Sequence, residues 1–205
     1  MFNRKHPAQE ESTFQKVDHT IPNATFKIVE LLRNALQHRA DNQEIVIVCI
    51  GTDRSTGDAL GPLVGTKLKT YQVNQADIRG TLDDPVHAMN LSDTMNEIES
   101  KYHNPFVIAI DACLGKLNSV GNITIGTGSL KPGAGVNKEL PEVGDVYITG
   151  TVNVGGFMEY LVLQNTRLSL VMKMADTIAR ALSIALIRTK QPSALPIRQV
   201  QSIRA

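Results

Sequence analysis

The stretch VIVCIGTDRSTGDALGP, residues 46–62, decides how the chain must fold. Its first five residues are apolar and mostly β-branched, the composition of a buried strand. The run breaks at Gly51, crosses six mostly polar residues and delivers Asp58 to a segment whose spacing of Leu60, Leu63, Val64 and Leu68 predicts a helix. Pro62 is tolerated because it falls in the first turn. FVIAIDACLG, residues 106–115, repeats the design: a second apolar run that reaches a carboxylate, Asp111.

Working outward, the chain alternates strands and helices. Residues 23–38 predict a helix with Asn23 at its N-cap and Phe26, Val29, Leu32 and Leu36 along one face. DIRGTL (77–82) reads as a weak strand, AMNLSDTMNEIESKY (88–102) as a helix, and NITIGTG (122–128) and DVYITGTVNV (145–154) as strands. A long amphipathic helix from about residue 156 to 185 carries a break near Asn165. Such βαβαβ alternation predicts one α/β domain over residues 1–205, a mostly parallel sheet with helices on both faces, and loose ends near 1–20 and 190–205. The connection from Ser129 to Gly144, dense in Gly and Pro, is expected to be a mobile flap over the site.

Composition excludes several functions. With 21 Lys plus Arg against 20 Asp plus Glu, a net charge of +1 provides no field to gather nucleic acid or an anionic membrane. Residues 1–13 lack the apolar stretch of a signal peptide, and Lys173, Asp176 and Arg180 interrupt the longest apolar helix, so neither export nor a membrane span is expected. Cys49 and Cys113 lie in apolar strand-like runs and read as inert buried thiols. A reducing, cytoplasmic location follows.

Both aspartates fall at the carboxyl ends of strands, where ligands collect near a switch in strand order. Adjacent strands lie about 5 Å apart, so two carboxylates there can share a proton or a bridging water. One pKa then rises while the other stays low, which is the acid/base division that amide hydrolysis by water requires. Asp58 also has a plainer reading as a helix N-cap, contributing about 1 kcal/mol. Asp53, Asp83, Asp84 and Asp145 read as loop acids or turn formers. Of the five histidines, His6, His19, His38 and His103 read as surface residues, and His87, in DDPVHAMN, as a candidate cleft residue. The loop from Gly51 to Gly61 has neither the glycine fingerprint of a dinucleotide fold nor the terminal GK[ST] of a phosphate loop.

Four segments in this order, GDALGP (57–62), IAIDA (108–112), ITIGTGSLKPGAGV (123–136) and ITGTVNVGGF (148–157), resemble the spore germination protease and, more distantly, the hydrogenase maturation endopeptidases. Over its whole length the chain resembles the small YyaC family of spore proteases. The resemblance implies a phosphorylase/hydrolase-like three-layer sandwich and an atypical aspartic peptidase without a cofactor, whose catalytic aspartates match Asp58 and Asp111. Gly51, Gly133, Gly135 and His87 are the expected substrate-binding residues. The implied partner is a protein or peptide substrate in a sporulating cell or spore, with self-association compatible. In the maturation endopeptidases the equivalent acids bind nickel together with a later histidine, and no histidine follows His103 here. Two alternatives stand beside the aspartic peptidase: a non-catalytic peptide-binding relative, and a divalent-metal endopeptidase using the same acids.

Overall fold

Strand β2 (Ile45–Cys49) is buried at every position. Both of its faces are covered, as its unbroken apolar run demands: Ile45, Ile47 and Cys49 enter one core, Val46 and Val48 the other. The structure, a computed structural model, describes residues 14–133 and 140–187; Gly135 and the chain before 14 and after 187 lie outside them. Six strands form one sheet in the order β1-β5-β6-β4-β2-β3. The others are β1 (Phe14–Asp18), β3 (Ala76–Arg79), β4 (Phe106–Gly115), β5 (Asn122–Thr127) and β6 (Val146–Val154). β2 runs parallel to β3 and β4, and β4 parallel to β6, whereas β5 runs antiparallel to both its neighbours.

Helices lie on both faces. α1 (Ala24–Leu36), α2 (Leu60–Thr70) and α5 (Leu168–Ile187) share one apolar core with the sheet. α3 (Leu91–Lys101) covers the opposite face with Leu91, Met95 and Ile98. The short α4 (Glu159–Gln164) is tied to the end of β6, where the Asn153 side-chain amide donates to the Val162 carbonyl at 3.2 Å. From β2 the chain passes through α2 to β3 on one side, then through α3 to β4 on the other. Strand order therefore reverses between β2 and β4, opening a crevice at their carboxyl ends.

Several local expectations are corrected. Helix α2 begins at Leu60 with Ala59 at its N-cap and no side-chain capping bond, so Asp58 is not a cap. Asn23 does occupy the N-cap of α1, without a side-chain cap bond. Phe26, expected on the apolar face of α1, is 68% exposed, and Ile28 fills the core in its place. Residues 14–18, expected to be loose, form edge strand β1 against β5. His19 is no surface residue: its side chain is 9% exposed and its Nδ1 lies 2.8 Å from the Gly121 carbonyl. Asp145 is more than a loop acid, for its Oδ2 accepts from the Val107 amide at 2.8 Å and braces the start of β4. The long terminal helix is broken as expected, between Gln164 and Leu168.

Candidate active site

Alternation along β4 places Asp111. Val107 and Ala109 point into the α3-side core, so Asp111, two residues on, comes onto the same face. There it is 6% exposed. The connection after β5 closes over it: Leu130 pairs with Val143, Val143 packs in the α3-side core, and the Gly133 amide reaches the Asp111 carboxyl. The Ala112 amide donates to Asp111 Oδ1 at 2.8 Å.

Asp58 arrives by a different device. Gly51 sits at φ +140°, and a Cβ on it would lie 2.0 Å from the Asp58 carbonyl oxygen. Only glycine lets the loop fold back this closely, and the Thr52 amide closes it by donating to that carbonyl at 3.2 Å. The Gly51 amide donates to Val86 at 2.8 Å, and Ile50 bridges Val86, drawing the next residue, His87, over the end of β2. His87 is held in a tight turn: its amide donates to Asn90 Oδ1 at 2.7 Å, and the Asn90 side-chain amide donates to the Pro85 carbonyl at 3.0 Å. The Met89 amide donates to His87 Nδ1 at 3.3 Å.

The two acids feel each other. Burial, reinforced by the negative charge of Asp58, pushes the Asp111 carboxyl up to about 8, against the amides of Ala112 and Gly133. Asp58 is also raised by burial, but the Thr52 amide and the nearby His87 ring oppose the rise. The rise is therefore larger on Asp111, the more deeply buried of the two. Among the described residues no group of three or more His, Cys, Asp or Glu side chains is placed to hold a metal ion.

Of the expected site residues, Asp58, Asp111, His87 and Gly133 converge on this crevice, Gly51 shapes it from beneath, and Gly135 lies outside the described residues. The flap expected over residues 129–144 has an ordered base, with Lys131 paired to Glu142 at 3.1 Å, while 134–139 lie outside the described residues. Cys113 was read only as a buried thiol, yet its sulfur lies 3.5 Å from Thr151 Oγ1, two residues along β4 from Asp111. Burial raises its thiol pKa, against the hydrogen bonds of Thr151 and Thr149. Sequence reading also passed over Thr149 and Thr151, whose alternation along β6 sets them, buried, beside Asp111 and Cys113.

Comparison with known proteins finds similarities in both structure and sequence. A [NiFe] hydrogenase maturation protease, HycI from Thermococcus kodakarensis KOD1, superposes with a TM-score of 0.47 at 20% identity, covering 77% of this chain and 99% of that one. The chain is 57% identical over 177 residues to the uncharacterized protein YyaC of Bacillus subtilis (strain 168), spanning 86% of each. Residues 16–181 match the family model described as protein of unknown function (DUF1256), and the chain belongs to that family.

Proposed function

We propose that this protein is a cytoplasmic peptidase of the sporulating cell or spore, hydrolysing peptide bonds with Asp58 and Asp111 as an aspartic pair. One observation carries the reading: a buried carboxyl raised to about 8 beside a second carboxylate whose charge helps raise it, at the switch point of a mostly parallel sheet. The sporulation setting and the peptide substrate rest on the motif resemblance.

In this mechanism Asp58 takes a proton from a water molecule as the water oxygen attacks the scissile carbonyl carbon. Asp111 gives its proton to the carbonyl oxygen, so the tetrahedral intermediate carries no charge. The intermediate collapses when Asp58 passes its proton to the departing amine nitrogen and Asp111 recovers one from a hydroxyl. The starting protonation is restored and water has been added across the amide. His87, beside Asp58, favours the charged carboxylate with which the cycle begins.

The test is hydrolysis of casein-type and spore-protein substrates by wild type, Asp58→Asn and Asp111→Asn, each with and without chelator. The pair acts as a unit, so either substitution lowers turnover by about 10² to 10⁴-fold with an unchanged circular dichroism spectrum, and chelator changes nothing. Full activity in either folded variant rejects the pair. Loss on chelation with recovery in a divalent ion favours the metal alternative, and binding without cleavage in wild type favours the non-catalytic one.

A further inference from the structure

Sequence and burial disagree in the strap between β6 and α5. Four of the six residues of α4 are Tyr160, Leu161, Val162 and Leu163, yet no residue of this helix is buried. Gly156 at φ +148° and Met158 at φ +55° turn the chain sharply after β6, and Phe157 between them stands 88% exposed. The Gly155 amide donates to the Gly115 carbonyl at 2.8 Å, which holds the turn after β4 close to the strap. Leu117 in that turn is 80% exposed. Tyr160 is 63% exposed, and Met158, Leu161 and Leu168 add exposures of 42% to 58%. Apolar side chains left together in water at one end of a sheet mark a surface that something covers.

Three features of this face fit a second copy of the same chain. At about 150 to 200 Å² for a full large side chain, the six exposed residues present roughly 600 to 750 Å², near the ~800 Å² that each partner gives to a standard interface. The face also carries both halves of a self-complementary contact. Beside the protruding Phe157 lies a groove of about 540 Å³ between the end of β6 and α4, lined by Val154, Leu161 and Val162. A two-fold axis sets the knob of each copy opposite the groove of the other. Side-chain amides at the groove are already used: Asn153 donates to the Val162 carbonyl and to Thr166 Oγ1, both at 3.2 Å, and Asn165 to the Leu161 carbonyl at 2.8 Å. An apolar occupant therefore breaks no hydrogen bond among them. Finally, a net charge of +1 sets no long-range repulsion between copies.

We propose that this face is a two-fold homodimer interface in which Phe157 of each copy seats in the groove of the other. It is distinct from the crevice, since Leu163 packs with the core of α1, α2 and α5 whereas Asp111 lies on the α3 side of the sheet. The two are joined through the loop that carries Asp58. The Gly57 amide donates to the Leu163 carbonyl at 2.9 Å, and a Cβ on Gly57 would lie 2.8 Å from Leu163 Cδ2, so α4 leans directly on that loop. A partner that holds α4 in place steadies the residue next to Asp58. Dimerisation does not depend on peptide hydrolysis and stands whichever chemistry the two acids perform.

Sedimentation equilibrium of the 205-residue chain from about 1 to about 100 µM tests the interface in wild type, Phe157→Asp, Leu117→Asp and Phe26→Asp. Wild type is a dimer at the upper end of that range. Phe157→Asp raises the dissociation constant by at least about 30-fold, the effect of losing one apolar anchor, and symmetry applies the loss twice. Leu117→Asp weakens the dimer as well. Phe26→Asp, at an exposed position of α1, leaves it intact. All three side chains are more than half exposed, so each variant keeps the wild-type circular dichroism spectrum. Amide hydrogen exchange gives the second readout: Gly57 and residues 159–164 exchange faster on dilution of wild type, and in Phe157→Asp at every concentration. A wild-type dimer that Phe157→Asp leaves intact has its interface elsewhere and overturns the proposal. Dissociation that leaves Gly57 exchange unchanged overturns the tie to Asp58. A wild-type monomer at about 100 µM overturns the second copy. Slow exchange at 159–164 in that monomer then assigns the face to residues 1–13 or 188–205 of the same chain, and fast exchange assigns it to a different protein.

Discussion

Asp111→Asn should make the protein more stable as pH rises. In the folded state burial and the Asp58 charge hold the Asp111 carboxyl protonated up to about 8, whereas in the unfolded chain it ionises near 3.8. Across that window the folded protein keeps a proton that the unfolded chain has released. A raised folded-state pKa on an acid therefore lends its full stability below 3.8 and loses it as pH climbs toward about 8. At 1.36 kcal/mol for each pH unit, the window sets a ceiling of roughly 6 kcal/mol, comparable with the whole stability of a typical domain. Asparagine is neutral at every pH and keeps the oxygen that accepts from the Ala112 amide, so the variant escapes this loss. Urea denaturation of both proteins from about pH 5 to about pH 9 reads the difference directly, because the other titrating groups are common to both. Asp111→Asn gains on wild type by at least about 2 kcal/mol between those limits, and the gain shrinks in an Asp58→Asn background, where the neighbouring charge is gone. Stability curves that stay parallel across the range refute a protonated Asp111, and with it the assignment of acid and base.

Other substitutions probe the scaffold. Gly51→Ala places a Cβ 2.0 Å from the Asp58 carbonyl at a φ of +140°, so it should destabilise the fold by about 1 to 3 kcal/mol and lower turnover; an unchanged melting temperature counts against the loop closure described above. Cys49 is fully buried with its thiol pKa raised, so a thiol reagent should leave it unmodified in the native protein at pH 8 and label it after unfolding; rapid native labelling, read by mass spectrometry, contradicts that burial. Ile148→Ala, at a fully buried position of β6, should cost about 2 to 5 kcal/mol in chemical denaturation.

How much of this was legible in the sequence depends on whether the cause was local. The unbroken apolar runs of β2 and β4 announce strands covered on both sides, and the period of α2, α3 and α5 announces helices to cover them. Asp58 and Asp111 stood out because each follows such a run, and parallel sheets gather their chemistry at strand ends. β1 was missed since FQKVD, with one buried residue, has no apolar pattern of its own and becomes a strand only by pairing with β5. His19 looked like any exposed histidine until Gly121, distant in sequence, came within 2.8 Å. Asp58 looked like a cap until the start of α2 was seen at Leu60.

The sequence by itself determined most of the elements, their α/β order and the two acids as candidates, because hydrophobic period and turn chemistry act over a few residues; it placed Asp111 at a strand end, whereas β4 runs on to Gly115. Tertiary structure alone decided which strands are neighbours, and so that the Asp58 charge acts on the buried Asp111 carboxyl. It also decided that Tyr147 lies over Gly126, and that the buried Thr149 stands beside Asp111. Those relations arise from register and from burial by distant segments. A carboxyl's pKa and a pocket's shape are set by everything that surrounds them, and the surroundings exist only once the chain has folded.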